Sequence, residues 1–419
     1  MSYKRFFTAS IFFALISAFF NSCATTESAA GQTPQEIQTS KHEKDKTEHT
    51  KHDKSQAEER ESEITLLFAG DIMAHGTNYK FPDFDRIWRD IAPLVKESDL
   101  AFGNIEAPVA ENLPWSTYPN FNMHQSYVEA AIKIGFNVFS LANNHTNDQF
   151  LQGIVETKKY FDAREGIWSS GLKAKAGDPL TYAVIDKNGW KILFVAITEI
   201  LNTPANSANI NYIPAQGAKR EKLKAELKKL REENPCDLFV FSVHCDEPEY
   251  VHTIKGSQKE FYRSLISECD VDIIWANHPH IVREWEKAVV QTPNGQKEAF
   301  IMYSNGNTIS AQRTKPSFSK PETERDNTGD GLIIKLKYAK IIKENKNGEK
   351  VSAVSSKAKL SGSEHYFITT FIAPSGQYVI KLLDDDFINT LDRAENTTWA
   401  KYLAERKKIM EKIREKSIY

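Results

Sequence analysis

Apolar runs alternate with amphipathic stretches along most of this chain. Runs rich in Val, Ile, Leu and Phe at residues 64–69, 100–102, 136–141, 238–243, 271–276 and 300–303 predict strands. Residues 84–96, 127–134, 151–162, 218–233 and 258–267 carry helical spacing between them. Residues 182–185 and 190–196 predict a hairpin across Asp186-Lys187-Asn188-Gly189, whose Asn-Gly step suits positive φ. Residues 310–329 are polar, carry Pro316 and Pro321, and predict a loop. Strands are predicted at 332–338 and 366–372 around a basic turn, and a charged, mostly helical stretch at 385–417. Strands alternating with helices predict an α/β layered fold.

The predicted strands end in polar groups, and this punctuation repeats. Gly70-Asp71, Gly103-Asn104-Ile105-Glu106, Asn143-Asn144-His145, His244 and His278-Pro279-His280 each close an apolar run. In open α/β sheets, ligands bind outside the carboxyl ends of the strands, so these groups point to one shared site. Carboxylate, amide and imidazole groups are ligands of borderline divalent metals. Asp71 is a ligand or a turn former, and Glu106 a bridging ligand or a surface carboxylate. Asn144 can offer a neutral oxygen, and His145 can give a proton to a leaving group because imidazole titrates near neutrality. Asp148 is placed either to orient His145 or to cap the following helix. The His-x-His pair is expected on extended backbone, with Pro279 keeping His278 extended and both imidazoles on one side. No Gly-x-Ser-x-Gly elbow and no Gly-x-x-x-x-Gly-Lys-Ser/Thr loop occurs, so serine-hydrolase and nucleotide-cradling mechanisms lack their usual parts.

The first residues change the cellular picture. Lys4 and Arg5 precede an apolar run to Phe20, then Asn21-Ser22-Cys23, the layout of a secretory signal over residues 1–22. The small residue before Cys23 suits lipidation of that cysteine. Residues 23–62 alternate Lys, His, Glu and Asp with few large apolar residues, and are expected to be a disordered tether. His42, His49 and His52 belong to that solvated spacer. The formal net charge of -2 excludes a basic field for nucleic acid, while 40% hydrophobic residues suffice for a core. With Cys23 acylated, Cys236, Cys245 and Cys269 remain; no disulfide framework is implied, and they are expected as buried thiols, with pairing of Cys245 and Cys269 left open by the sequence.

These residues together resemble the CapA family of capsule-synthesis proteins linked to poly-γ-glutamate, within the calcineurin-like metallophosphoesterase superfamily. The resemblance covers about residues 64–310. It rests on Gly70-Asp71-Ile72-Met73, Gly103-Asn104-Ile105-Glu106-Ala107-Pro108, Ala142-Asn143-Asn144-His145 with Asp148, Val243-His244 with Glu249-Tyr250, His278-Pro279-His280-Ile281 and Tyr303-Ser304-Asn305-Gly306-Asn307. It implies a four-layer α/β/β/α sandwich with a dinuclear metal site, the metals being Mn, Fe, Zn or Mg. By it Asp71, Glu106, Asn144, His244, His278 and His280 are ligands, and His145 with Asp148 is catalytic. Asn104, Asn143, Glu249 and Tyr250 are expected to meet substrate. The chain departs from the superfamily at Met73, where Asp-x-His is usual, with His75 two residues later. It also departs at Cys245-Asp246-Glu247-Pro248, Asn277, Asn305 and Thr308.

The resulting expectation is a signal (1–22), a tether (23–62), a metallophosphoesterase-type domain (63–312), completing loop and strands (313–384) and a charged terminal helix (385–419). The protein is expected at the bacterial cell envelope as a lipoprotein on the exported side. Its expected partners are the membrane, through that lipid, an anionic envelope polymer and membrane proteins of polymer synthesis. A metal-dependent hydrolase-like enzyme is the first functional reading. A non-catalytic polymer-binding subunit of a synthesis or export complex is the alternative.

Overall fold

The apolar runs resolve into two β-sheets in the computed structural model, which describes residues 58–344 and 357–418. The expected signal, Cys23 and the tether up to residue 57 lie outside the described residues, as does the basic turn at 345–356. The strands are β1 (Glu58–Ile72), β2 (Leu100–Ile105), β3 (Val138–Ser140), β4 (Trp168–Ser170), β5 (Tyr182–Lys187), β6 (Trp190–Thr198) and β7 (Leu238–His244). They continue with β8 (Ile273–Asn277), β9 (Trp285–Thr292), β10 (Gly295–Met302), β11 (Asn307–Ile309), β12 (Asp330–Glu344), β13 (Lys359–Ile372) and β14 (Tyr378–Leu382). The first sheet runs β14-β13-β12-β1-β2-β3-β4, with β11 also on β1, and the second runs β5-β6-β7-β8-β10-β9. The strands from β1 to β4 are mutually parallel, as are β6, β7, β8 and β10.

The helices are α1 (Gly76–Tyr79), α2 (Asp85–Trp88), α3 (Ala92–Lys96), α4 (Gln125–Lys133), α5 (Phe150–Asp162), α6 (Gly217–Glu233), α7 (Gly256–Cys269), α8 (Glu324–Asn327), α9 (Asp385–Arg393) and α10 (Thr397–Glu415). Three apolar layers separate the elements. Between the sheets, Phe68, Phe102, Phe194, Val240 and Trp275 interlock, with the Phe68 and Phe102 rings 4.4 Å apart. Outside the first sheet, Trp88, Tyr127 and Phe161 cover it. Outside the second, Leu223, Leu227, Phe261 and Leu265 of α6 and α7 do the same. The result is the expected α/β/β/α sandwich. Burying one such aromatic or leucine side chain contributes about 1.5–3 kcal/mol, so these layers fix the sheet positions.

Several local expectations are corrected. Strand β1 starts at Glu58 rather than near Ile64, because Glu58 to Glu63 pair with Glu344 to Ala339 of β12. Residues 84–96 form two short helices, not one. Strands β4, β9 and β14 lack an alternating pattern long enough to stand out, and β9 and β10 close across Pro293-Asn294-Gly295. The terminal stretch is two helices, α9 and α10, broken at Glu395 with φ of 60°.

A close crossing at the end of β1 sets the position of Asp71. Its N–H donates to Gly306 O at 3.0 Å, and a Cβ on Gly70 would lie 1.9 Å from that same oxygen. Only glycine at position 70 lets the Asn305–Asn307 segment pass this near.

Candidate metal centre

The polar strand ends converge as a buried cluster. Asp71 and Glu106 are 0% exposed, His244 and His280 1%, and His278 3%. Glu106, His244 and His278 place ligand atoms within 4.8 Å of one another, and so do Asp71, Glu106 and His280. Glu106 belongs to both groups. Asn144 joins them, its Oδ1 lying 2.8 Å from His244 Nε2. His278 Nδ1 lies 3.1 Å from that same His244 nitrogen.

The convergence of the two histidines has a different cause from the expected one. His278 and His280 have φ of 104° and 58°, so the segment is a tight turn and not an extended strand. Folding the backbone back, rather than alternation, brings both rings inward, with centroids 6.1 Å apart.

The cluster fits a cation. Both oxygens of Glu106 are buried with no hydrogen-bond partner. The imidazole nitrogens His244 Nε2 and His280 Nε2 lie 3.6 Å from Glu106 Oε1, beyond hydrogen-bond reach. An isolated buried carboxylate is costly unless a positive charge compensates it. Burial first, then the charges of Asp71 and Glu249, push the Glu106 pKa up. Burial, then the neighbouring His278, pushes His244 down, and burial, then His280, does the same to His278. Against burial, the bond and charge of Asp71 push His280 up. Neutral imidazoles at His244 and His278 beside carboxylates are a metal-ligand set.

A second rank holds these ligands. Asn104 Nδ2 donates to Asp71 Oδ1 at 2.8 Å, and Asn143 Nδ2 donates to Ile105 O at 2.7 Å. Both asparagines are buried like the candidate ligands themselves, and these bonds place them where they can orient Asp71 and the Glu106 segment. Asn307 Oδ1 lies 3.0 Å from His280 Nδ1, which is also 3.2 Å from Asp71 Oδ2.

A profile of the family described as "Bacterial capsule synthesis protein PGA_cap" matches residues 65–312, the span that carries every one of these ligands. The chain belongs to the PGA_cap family. It is similar to capsule biosynthesis protein CapA of Bacillus anthracis, 28% identical over 293 residues, 64% of this chain and 66% of that protein. It is also similar to PGA biosynthesis protein CapA of Bacillus subtilis (strain 168), 26% identical over 267 residues, 61% of this chain and 66% of that one. The matches thus stop just short of two thirds of either Bacillus protein. A solved 5'-nucleotidase precursor from Thermus thermophilus aligns over 84% of this chain and 59% of that chain, at 11% identity and a TM-score of 0.37, too loose a likeness to bear on chemistry.

In this PGA_cap protein a cleft of about 620 Å³ opens onto the cluster. His145, Asn144 and His280 line its floor, and Glu249 and Tyr250 its wall. His145 Nδ1 lies 2.7 Å from Asp148 Oδ2, which also accepts from Phe121 N–H at 2.7 Å. Asp148 therefore orients His145 and does not cap α5, whose first turn follows Gln149. Burial raises the Asp148 pKa, against the lowering effect of its bond to His145. Met73 is buried and lines the cleft, while His75 Nδ1 accepts from Ala311 N–H at 3.2 Å and belongs to neither ligand group. Burial, then His280, lowers the His75 pKa to about 3.

Sequence reasoning assigned no role to Asn202, Arg325 or Asn307, the last despite its place in the Tyr303-Ser304-Asn305-Gly306-Asn307 motif. Asn202 meets Asn144 at 3.2 Å and His145 Nδ1 at 3.1 Å, and its place just after β6 was a strand-end signal like the others. A larger cavity of about 810 Å³ lies against α6, lined in part by Lys173, Lys219, Tyr182 and Tyr212, and contains no candidate ligand.

Proposed function

We propose that this protein is a metal-dependent hydrolase- or transferase-like enzyme of capsule or poly-γ-glutamate synthesis. It acts on a phosphoester or amide linkage of an anionic polymer at the bacterial cell envelope. In this reading lipidated Cys23 anchors it to the membrane on the exported side, beside membrane proteins of polymer synthesis. Among the described residues no helix is long and apolar enough to cross a membrane. The observation that carries the reading is Glu106, a fully buried carboxylate without a hydrogen-bond partner, shared by two ligand groups at the floor of an open cleft.

Asp71, Glu106, Asn144, His244, His278 and His280 would hold the metal, and the number of ions follows from how Glu106 is shared. A bound divalent ion supplies Lewis acidity and water with a pKa near ~7. The chain supplies the rest. Asp148 at Nδ1 fixes the tautomer and orientation of His145, which leaves Nε2 to exchange a proton with the leaving group. The Asn202 amide lies 3.1 Å from that same Nδ1 and packs the Asp148 side of the ring. Phe121 packs edge-on at 4.8 Å and excludes water there.

Met73 supports a second reading, the non-catalytic polymer-binding subunit. It removes the imidazole that phosphoesterases of the superfamily carry, and His75 is turned away into its bond with Ala311. Elemental analysis of the purified full-length chain, with a phosphodiester assay alongside, separates the two. About two metals per chain with metal-dependent turnover supports the enzyme. Metal-free protein that still binds polymer with undiminished affinity and shows no turnover supports the binding subunit.

A further inference from the structure

The cleft wall is completed by a segment beyond the family match at residues 65–312: Arg325 of α8. Arg325 is exposed and is the one Lys or Arg side chain lining the cleft among the described residues. Its guanidinium lies 4.9 Å from the ring centre of Tyr250, and its Nη1 donates to Tyr250 Oη at 3.3 Å. Among the described residues it forms no ion pair, so its charge is available. Tyr250 in turn lies over His280, with rings 6.2 Å apart and 29° from parallel, and its N–H donates to Pro279 O at 2.9 Å. A line of stacked groups thus leads from Arg325 at the mouth to a ligand of the metal centre.

The position of Arg325 is built, not incidental. Thr323 and Asp326 form a capping box around it. Tyr402 Oη of α10 donates to Asp326 Oδ1 at 2.6 Å, and Arg406 Nη2 donates to Asn327 Oδ1 at 2.8 Å. Arg406 Nε also binds Asp330 Oδ2 at 2.7 Å, and Arg313 Nη1 binds Asp330 Oδ1 at 3.1 Å. Arg313, Asp330 and Arg406 are at most 2% exposed. Helix α10 therefore grips the two residues that follow Arg325 and leaves the guanidinium itself toward the cleft.

We propose that Arg325 is the anion-recognising residue of the cleft, taking an oxyanion, carboxylate or phosphate, of a substrate chain whose neighbouring linkage reaches the metal centre. The inference rests on the polymer reading above and adds a substrate-binding residue to it. The planar guanidinium fork matches both oxyanions bidentately, and its stacking on Tyr250 pre-organises it. Glu249 shares this wall and acts on the same Tyr250 hydroxyl that Arg325 meets. Arg325 is thus the cation that offsets that carboxylate for an incoming anion.

Fluorescence anisotropy with labelled poly-γ-glutamate and with labelled polyphosphate tests this, using full-length metal-loaded protein, Arg325→Ala and Arg325→Lys. Metal content is measured on every sample. The expected result is at least about a tenfold loss of affinity in Arg325→Ala for one of the two chains, a smaller loss in Arg325→Lys, and unchanged metal content. Loss for poly-γ-glutamate alone assigns the carboxylate, and loss for polyphosphate alone the phosphate. Wild-type binding that Arg325→Ala leaves intact for both chains overturns the Arg325 assignment and spares the polymer reading. No wild-type binding to either chain overturns both. Loss of metal in Arg325→Ala makes the residue structural and also overturns the assignment.

Discussion

Two buried polar clusters in this protein look alike by composition and differ in satisfaction. Around Asp330, Arg313 and Arg406 bring opposite charge, and both carboxylate oxygens of Asp330 are bonded at 2.7–3.1 Å. Around Glu106, buried imidazoles and carboxylates face one another with both Glu106 oxygens unbonded. Burial of charge is tolerated where partners are complete, and needs a cation or a proton from outside where they are not. The first cluster is a brace between α8, β12 and α10. The second is a candidate metal site.

The largest effect expected from breaking this contrast is at the brace. Asp330→Asn leaves two buried guanidinium groups short of a counter-charge and should cost about 3–5 kcal/mol in denaturant unfolding, with or without chelator. A loss under about 1 kcal/mol would mean that the brace is dispensable. Next, His145→Ala should lower turnover by about 10²–10⁴-fold while metal content stays at the wild-type level. His145 and Asp148 satisfy each other at the edge of the ligand cluster, so a variant that also sheds metal would move His145 into the ligand set.

Asn307→Ala probes the support behind His280. Its metal affinity, read by competition with a chromogenic chelator, should fall about 10–100-fold, as for other residues that orient a ligand. Unchanged affinity would show that Asp71 alone orients that ring. The smallest effect is the most diagnostic in sign. In chelator, and at a pH high enough to ionise Glu106, whose pKa burial raises, Glu106→Gln should stabilise the protein by about 1–3 kcal/mol, because it removes a buried charge that nothing in the chain pairs. With metal present the same substitution should destabilise. Destabilisation in both conditions would place Glu106 with the brace.

Much of the site was legible because its residues share one local rule. Asp71, Glu106, Asn144 and His244 each follow a run of Val, Ile, Leu or Phe, and parallel strands deliver their carboxyl ends to one edge. His278 and His280 do approach each other, but through a turn rather than extended backbone, since positive φ is invisible in a His-Pro-His triplet. The bonds of Asn104 to Asp71 and of Asn143 to Ile105 O were not legible, because position in a motif does not say which neighbour a side chain meets. Arg325 carried no signal. It sits in a polar stretch, and its meaning comes from Tyr402 and Arg406, whose residue numbers exceed its own by dozens.

The amino-acid sequence by itself determined the alternation of strands and helices, the layered class and the polar groups at the strand ends, because periodicity and apolar runs are local properties of the chain. Tertiary structure alone decided which buried charges are paired, where Asn104 and Asp148 point, and that the C-terminal helix holds a cation at the cleft mouth. Satisfaction of a buried group depends on atoms brought from distant segments, such as Asp330 to Arg406, and no local pattern encodes that meeting.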